Sequence, residues 1–233
     1  MNPKISENLQ CLILFGSHAR GDIDQNSDLD LLGVDNTNQH KTISINKVNL
    51  SLYSYEYLIN MAKDGDPFVF HLINEGKCLF GNEIFDHLNN SFQYKENTLY
   101  LNDAKAACYL ATKIYQNRDA IATSKWWLAN KRISWCIRTI IISLLMCKRE
   151  AVFSKHDLAI HITEQIKKIN QEDAFLLVDA KSHKNKDDKI LELLLEFISS
   201  QPELHQVDKT DIYSRDIISK TINSIISDEK YDY

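Results

Sequence analysis

Short apolar runs broken by glycine fill the first third of the chain, and long apolar stripes at helical spacing fill the rest. Cys11-Leu-Ile-Leu-Phe15 is stopped by Gly16, the pattern of a buried strand. Leu29–Val34 is a second run, with Asp28 and Asp30 at the period-two spacing of one sheet face. Ile43–Tyr53 alternates in part and predicts a third β stretch. Glu56–Lys63 predicts a helix ended at Gly65. Asp66 then offers an N-cap and Pro67 a first helical position, opening Phe68–Asn74, which Gly76 ends. Lys77–Phe80 reads as a further short strand. From about residue 95 the spacing is helical: Leu101–Arg118, Ala120–Arg149, then shorter helices over 156–169, 171–180, 187–199 and 209–228. Lys181–Lys189 reads as a solvated connection.

Glycine sharpens this division. All six glycines lie between Gly16 and Gly81, and the 152 residues beyond (233 − 81) contain none, with Pro202 their one proline. Turns need residues that accept positive φ, whereas Gly and Pro destabilise helices. The expected fold class is therefore α+β: a small mixed sheet over about 1–95, then an all-helical domain over about 96–233. Apolar residues at 44% and charged residues at 25% exclude a disordered chain. With 27 Lys+Arg against 32 Asp+Glu, the net charge of −5 argues against coating nucleic acid by bulk electrostatics, and leaves room for a local basic groove. The longest apolar run, Ile140–Cys147, is broken by Ser143 and is too short for a bilayer, which takes ~20 residues. Residues 1–10 show no signal-peptide pattern, so a cytoplasmic location with no membrane association is expected. Cys11, Cys78, Cys108, Cys136 and Cys147 include no C-x-x-C pair and suit reduced, buried thiols. His156 and His161 are not spaced as a zinc-binding i, i+4 pair.

The chemistry concentrates between Phe15 and Leu32. A strand enters Gly16-Ser17, a polar loop follows (Ser17-His-Ala-Arg-Gly-Asp22), and Asp28-Leu29-Asp30 opens the next strand. Glycine lets backbone N–H groups approach a phosphate, and a serine hydroxyl adds a donor. Two carboxylates one residue apart on a strand project to the same side and can share divalent cations. A phosphate cradle facing paired aspartates is what nucleotidyl transfer needs. The bland alternative is an acidic turn between two strands. Against it, Asp28 and Asp30 adjoin Leu29, Leu31 and Leu32, where an uncompensated carboxylate costs several kcal/mol.

Gly16, Ser17, Arg20-Gly21-Asp22, Ser27, Asp28 and Asp30 together resemble the signature of the nucleotidyltransferase superfamily. That superfamily includes the DNA polymerase β palm and the minimal and aminoglycoside-type bacterial enzymes. A fainter likeness extends through Asp66-Pro67 and Glu75-Gly76-Lys77 to Gly81. The resemblance implies transfer of a nucleoside monophosphate from a nucleoside triphosphate, ATP included, to a hydroxyl, with pyrophosphate released. It implies Asp28 and Asp30 as catalytic ligands of Mg2+ or Mn2+, Gly16 and Ser17 as the β/γ-phosphate cradle, and Arg20 as a further phosphate contact. For Arg20 the alternative is an internal pair with Asp22 or Asp24.

Members of the family usually carry a third carboxylate on a later strand. The matching strand here, Val48-Asn49-Leu50-Ser51-Leu52, offers Asn49 and Ser51. An amide carries no charge and is a poor base. The third ligand could come from Asp35, Glu56 or the substrate; two carboxylates could suffice; or the site could bind nucleotide without turnover. The last case would make the chain a catalytically silent nucleotide-binding or regulatory module, for example half of a two-protein toxin–antitoxin or defence system.

In the helical half, Lys131 and Arg138 share a helix face and are candidate contacts for the triphosphate. The neighbouring tryptophans, Trp127 and Trp135 among them, are expected to pack inward, stacking on a base or sugar being the alternative. Arg149 and His156 resemble the R-x4–6-H pattern of helical ribonucleases only loosely. The acceptor (a small molecule, a tRNA end or a protein side chain) and a possible homodimer stay open.

Overall fold

The structure, a computed structural model, describes residues 9–23, 27–36, 40–205 and 212–226. The chain divides into two compact units, residues 1–95 and 96–233. In the first, β1 (Cys11–Phe15) enters a single helical turn, α1 (Ser17–Arg20), where the sequence suggests only a loop. β2 (Leu29–Asp35) returns antiparallel to β1, with Phe15 opposite Asp30 and Cys11 opposite Val34. β3 (Lys41–Ile45) and β4 (Val48–Ser54) are antiparallel, and β4 runs parallel to β2 with Asn49 opposite Asp30. β5 (Lys77–Phe80) lies antiparallel to β1 and completes a sheet in the order β3-β4-β2-β1-β5.

The stretch expected as one strand over Ile43–Tyr53 is thus two, turning at Asn46-Lys47, where Asn46 takes a φ of 54°. Asparagine tolerates the left-handed region, but Asn-Lys lacks the glycine that marks most two-residue hairpins. Helices follow β4. α2 (Tyr55–Lys63) is capped by the Ser54 hydroxyl accepting from the Tyr57 N–H, and α3 (Pro67–Glu75) by the Asp66 carboxylate accepting from the Phe68 N–H. α4 (Asn82–Ser91) has no counterpart in the sequence reading. Cys11, Ile13, Leu32 and Val34 project from one sheet face into a core with Leu58, Ile59, Ala62, Val69, Leu72 and Leu88. Each large side chain so buried is worth about 1.5–3 kcal/mol. Side-chain alternation puts Asp30 and Asn49 on this same, helix-covered face.

The second unit contains α5 (Asn97–Gln116), α6 (Trp126–Cys147), α7 (Lys155–Gln165), α8 (Gln171–Val178), α9 (Asp188–Ser199) and α10 (Ile212–Ile226). A mixed sheet followed by helices is the α+β arrangement anticipated from the glycine distribution. Short 3-10 turns at Arg118–Ala120 and Thr123–Lys125 delay α6 relative to the expected start at Ala120. The α5 stripe Ala104, Ala107, Ala111 and Ile114 packs against Ile133, Ile137 and Ile140 of α6, all of them inaccessible to solvent. Small alanines on one helix admit the branched isoleucines of the other.

Two details correct the expectation for this half. Trp126 is buried, but Trp127 and Trp135 are 51% and 49% exposed. The core stripe of α6 falls at 126, 129, 130, 133, 136, 137 and 140, which rotates positions 127, 131 and 135 toward solvent. The connection after α8 is pinned as well as solvated: the buried Asn130 amide donates to the carbonyls of His183 and Asn185, each at 2.9 Å. Arg149 bonds the Met146 carbonyl, and the exposed His156 lies against Gln171. All five cysteines are free, and burial, with Cys78 beside it, pushes the Cys11 thiol up to about 12. Among the described residues no helix is long and apolar enough to cross a membrane.

Candidate active site

β1 delivers the chain to Gly16 directly opposite the start of β2, and the two meet closely. Gly16 has a φ of +71°, and a Cβ placed there would stand 3.0 Å from Asp30 Oδ2. Any side chain would be strained by the backbone and would crowd the carboxylate, so glycine is what permits this approach. The Gly16 carbonyl accepts from the N–H groups of Ala19 and Arg20, both at 3.1 Å, which turns the chain over Ser17. Gly21, in the left-handed region at φ 87°, closes that turn by donating to the Ser17 carbonyl at 2.8 Å. Asp28 is exposed two residues ahead of Asp30.

The position opposite Asp30 on β4 is Asn49, and its amide is engaged on both sides. Asn49 Nδ2 donates to Asp30 Oδ1 at 3.2 Å, while Asn49 Oδ1 accepts from Ser44 Oγ at 2.8 Å. A carboxylate in this place would repel Asp30; the amide satisfies it. Two of the three alternatives for a further ligand lose their footing. Asp35 is buried an odd number of residues along β2, on the opposite sheet face from Asp30. Glu56 sits beyond the far end of β4, where with His40, Tyr53, Ser54, Tyr57 and Asn60 it lines an open cavity of about 460 Å³. Among the described residues no three His, Cys, Asp or Glu side chains cluster as a metal-binding group.

Arg20 is held by carboxylates of its own chain. Its Nε donates to Asp22 at 3.1 Å and its Nη1 to Glu75 Oε2 at 2.6 Å, and Glu75 also pairs with His71 at 2.9 Å. The pairing with Asp22 is the internal alternative noted for Arg20; Asp24 lies outside the described residues. Burial alone would raise the Glu75 carboxyl, but hydrogen bonds and charge from His71 and Arg20 outweigh it and hold its pKa below the ordinary value. At Arg20, hydrogen bonds and charge from Glu75 and Asp22 overcome burial and raise its pKa. Phe15 packs edge-on against Phe68 and His71, joining β1, the Gly16 turn and α3 into one support.

A family model described as "Polymerase beta, Nucleotidyltransferase" matches residues 4–84. These residues form a nucleotidyltransferase domain of the polymerase β type. No curated protein matches the chain in sequence. Within the nucleotidyltransferase domain the structure brings Gly16 and Asp30 together, sets Ser17 at the start of the α1 turn, and ties Arg20 to carboxylates of its own chain. Lys131 and Arg138 belong to the helical unit: Lys131 is exposed on α6, and Arg138 donates to the Phe153 carbonyl at 3.2 Å.

The donor set fits a divalent cation at Asp28 and Asp30, where one carboxylate is exposed and the other faces a turn that only glycine leaves open. It fits a third ligand poorly, because the Asn49 oxygen is already taken by Ser44. Sequence reasoning missed Ser44, His71 and Glu75. Ser44 was hidden by the unrecognised hairpin, since register depends on where the chain turns. Glu75 was visible only as part of the fainter likeness around Gly76, without a role.

Proposed function

We propose that the nucleotidyltransferase domain binds a nucleoside triphosphate with Mg2+ or Mn2+ and transfers its nucleoside monophosphate to an acceptor hydroxyl. The acceptor oxygen attacks the α-phosphorus, and the bridging oxygen leaves with pyrophosphate. The observation that carries this reading is the close approach of the Gly16 turn to Asp30: a Cβ on Gly16 would stand 3.0 Å from Asp30 Oδ2, so the glycine turn and the carboxylate lie against one another. Here Gly16 and Ser17 offer backbone and hydroxyl donors to the β/γ-phosphates, and Asp28 and Asp30 hold the cation. When bound, the cation neutralises the triphosphate and polarises the reacting phosphorus. Arg20, clamped by Asp22 and Glu75, orients the turn from behind. Lys131 and Arg138 belong to the helical unit and take no part in this assignment. The test is NTP-dependent labelling of acceptors spanning small hydroxyl compounds, tRNA and protein. Asp28→Asn and Asp30→Asn should each abolish it, and unchanged labelling by both would refute the assignment.

One observation favours a second reading, a nucleotide-binding module without turnover. Asn49 sits where a third carboxylate would complete the site, and its amide is spent on Asp30 and Ser44. Calorimetry distinguishes the two. Mn2+-dependent triphosphate binding with no pyrophosphate release across the acceptor panel, together with activity gained by Asn49→Asp, would establish the silent module.

A further inference from the structure

The helical unit carries a surface that nucleotidyl transfer leaves unexplained. Trp127 and Trp135 are 51% and 49% exposed, whereas the adjoining Trp126 is 2% exposed. Positions 127, 131 and 135 recur at i, i+4 and i+8, so the two indoles and the exposed Lys131 form one stripe along α6. At 1.5 Å per residue positions 127 and 135 stand about 12 Å apart along the axis, with position 131 midway between them. Tryptophan is highly buried on average, so two half-exposed indoles on one stripe, beside a third that is buried, are not a requirement of the core.

Charge narrows the choice of occupant. α6 holds Lys131, Arg132 and Arg138 and contains no Asp or Glu over 22 residues, within a chain whose net charge is −5. A purely apolar partner would gain nothing from a cation set between the rings. A ligand in which flat rings alternate with negative charge matches ring, cation and ring in turn.

We propose that the Trp127–Lys131–Trp135 face of α6 docks single-stranded nucleic acid. Unpaired bases stack on the indoles and an intervening phosphate pairs with Lys131. Bases within a duplex are already stacked on one another and cannot lie on the indoles, so the surface selects single strands.

The test uses the full chain and fluorescence anisotropy of labelled short oligouridine, oligothymidine and a duplex of equal length. The single strands should bind and the duplex bind more weakly; the ratio of the two single-strand affinities separates RNA from DNA. Trp127→Ala/Trp135→Ala should weaken binding about tenfold or more, and Trp127→Phe/Trp135→Phe, which keeps a stacking ring, should retain most of it. Lys131→Gln should flatten the log–log salt dependence by about 0.7, the share of one single-strand phosphate. Asp30→Asn should bind the strand as the wild type does, so a failure of the catalytic assignment leaves this result untouched. Three outcomes would overturn the proposal: no single-strand binding even at low salt, equal binding by the double alanine variant, or a wild-type dimer that this variant converts to monomer without any strand binding. The last would assign the stripe to a second copy of the chain.

Discussion

At Gly16 any other residue would bring a Cβ to 3.0 Å from Asp30 Oδ2 at a φ of +71°, whereas Ile137, inaccessible in the helical core, could become leucine at the cost of local repacking. The N-terminal unit is specified position by position: one glycine, one carboxylate and one amide must meet at the first rungs of β2 and β4. The helical unit is specified by period, and many aliphatic sequences would satisfy the same stripe. Positional demands announce chemistry because packing alone does not create them. Periodic demands announce a fold and leave function to the residues that break the period, of which Trp127 and Trp135 are the clearest.

The largest effect expected from breaking this contrast is at Asp30. Asp30→Asn should lower NTP-dependent labelling by about a thousandfold, since it removes a charge proposed to hold the cation, while thermal stability changes little. A core substitution should do the reverse. Ile137→Ala should cost about 2–5 kcal/mol in denaturant unfolding by leaving a cavity between α5 and α6. If Ile137→Ala proved neutral, or Asp30→Asn unfolded the chain, the division into positional and periodic units would fail.

Gly16→Ala lies between these cases and sharpens the comparison. Strain at positive φ costs about 1–3 kcal/mol, and the added methyl group presses on the Asp30 carboxylate. Calorimetry should show triphosphate affinity reduced by more than the melting shift explains. Equal affinity would mean that the Gly16 turn does not meet the nucleotide.

How far the sequence could be read follows the same contrast. β1, β2, β5, the helix α2 and the cap of α3 were legible because apolar runs and capping residues act locally. The meeting of Gly16 with Asp30 was legible because a glycine turn before paired carboxylates has few structural reasons to exist. The β3–β4 turn was missed because Asn46-Lys47 is a weak turn signal, and with it went the register that sets Ser44 beside Asn49. Glu75 was missed as a partner of Arg20 because a contact across 55 residues leaves no local trace. The exposure of Trp127 and Trp135 was misjudged because an aromatic stripe beside a core stripe shows no phase until the helix is packed.

The smallest effect expected is also the most specific, and it concerns the Arg20–Glu75–His71 support behind the Gly16 turn. Burial opposes ionisation of Glu75, but His71 and Arg20 more than offset it, so the folded chain binds this proton less tightly than the unfolded chain does. The contribution to stability is therefore complete at neutral pH. It declines as pH falls below the ordinary carboxylate value of about 4.3 and is gone once pH passes through the lower folded value. Glu75→Gln removes the charge and retains the shape, and should cost about 1–2 kcal/mol at pH 7. Urea unfolding of both proteins between neutral and acid pH should give stability curves that converge as the wild type loses its advantage. Curves that stayed parallel to the acid limit would show that Glu75 acts by packing alone, and Arg20 would then be held by Asp22 without help from α3.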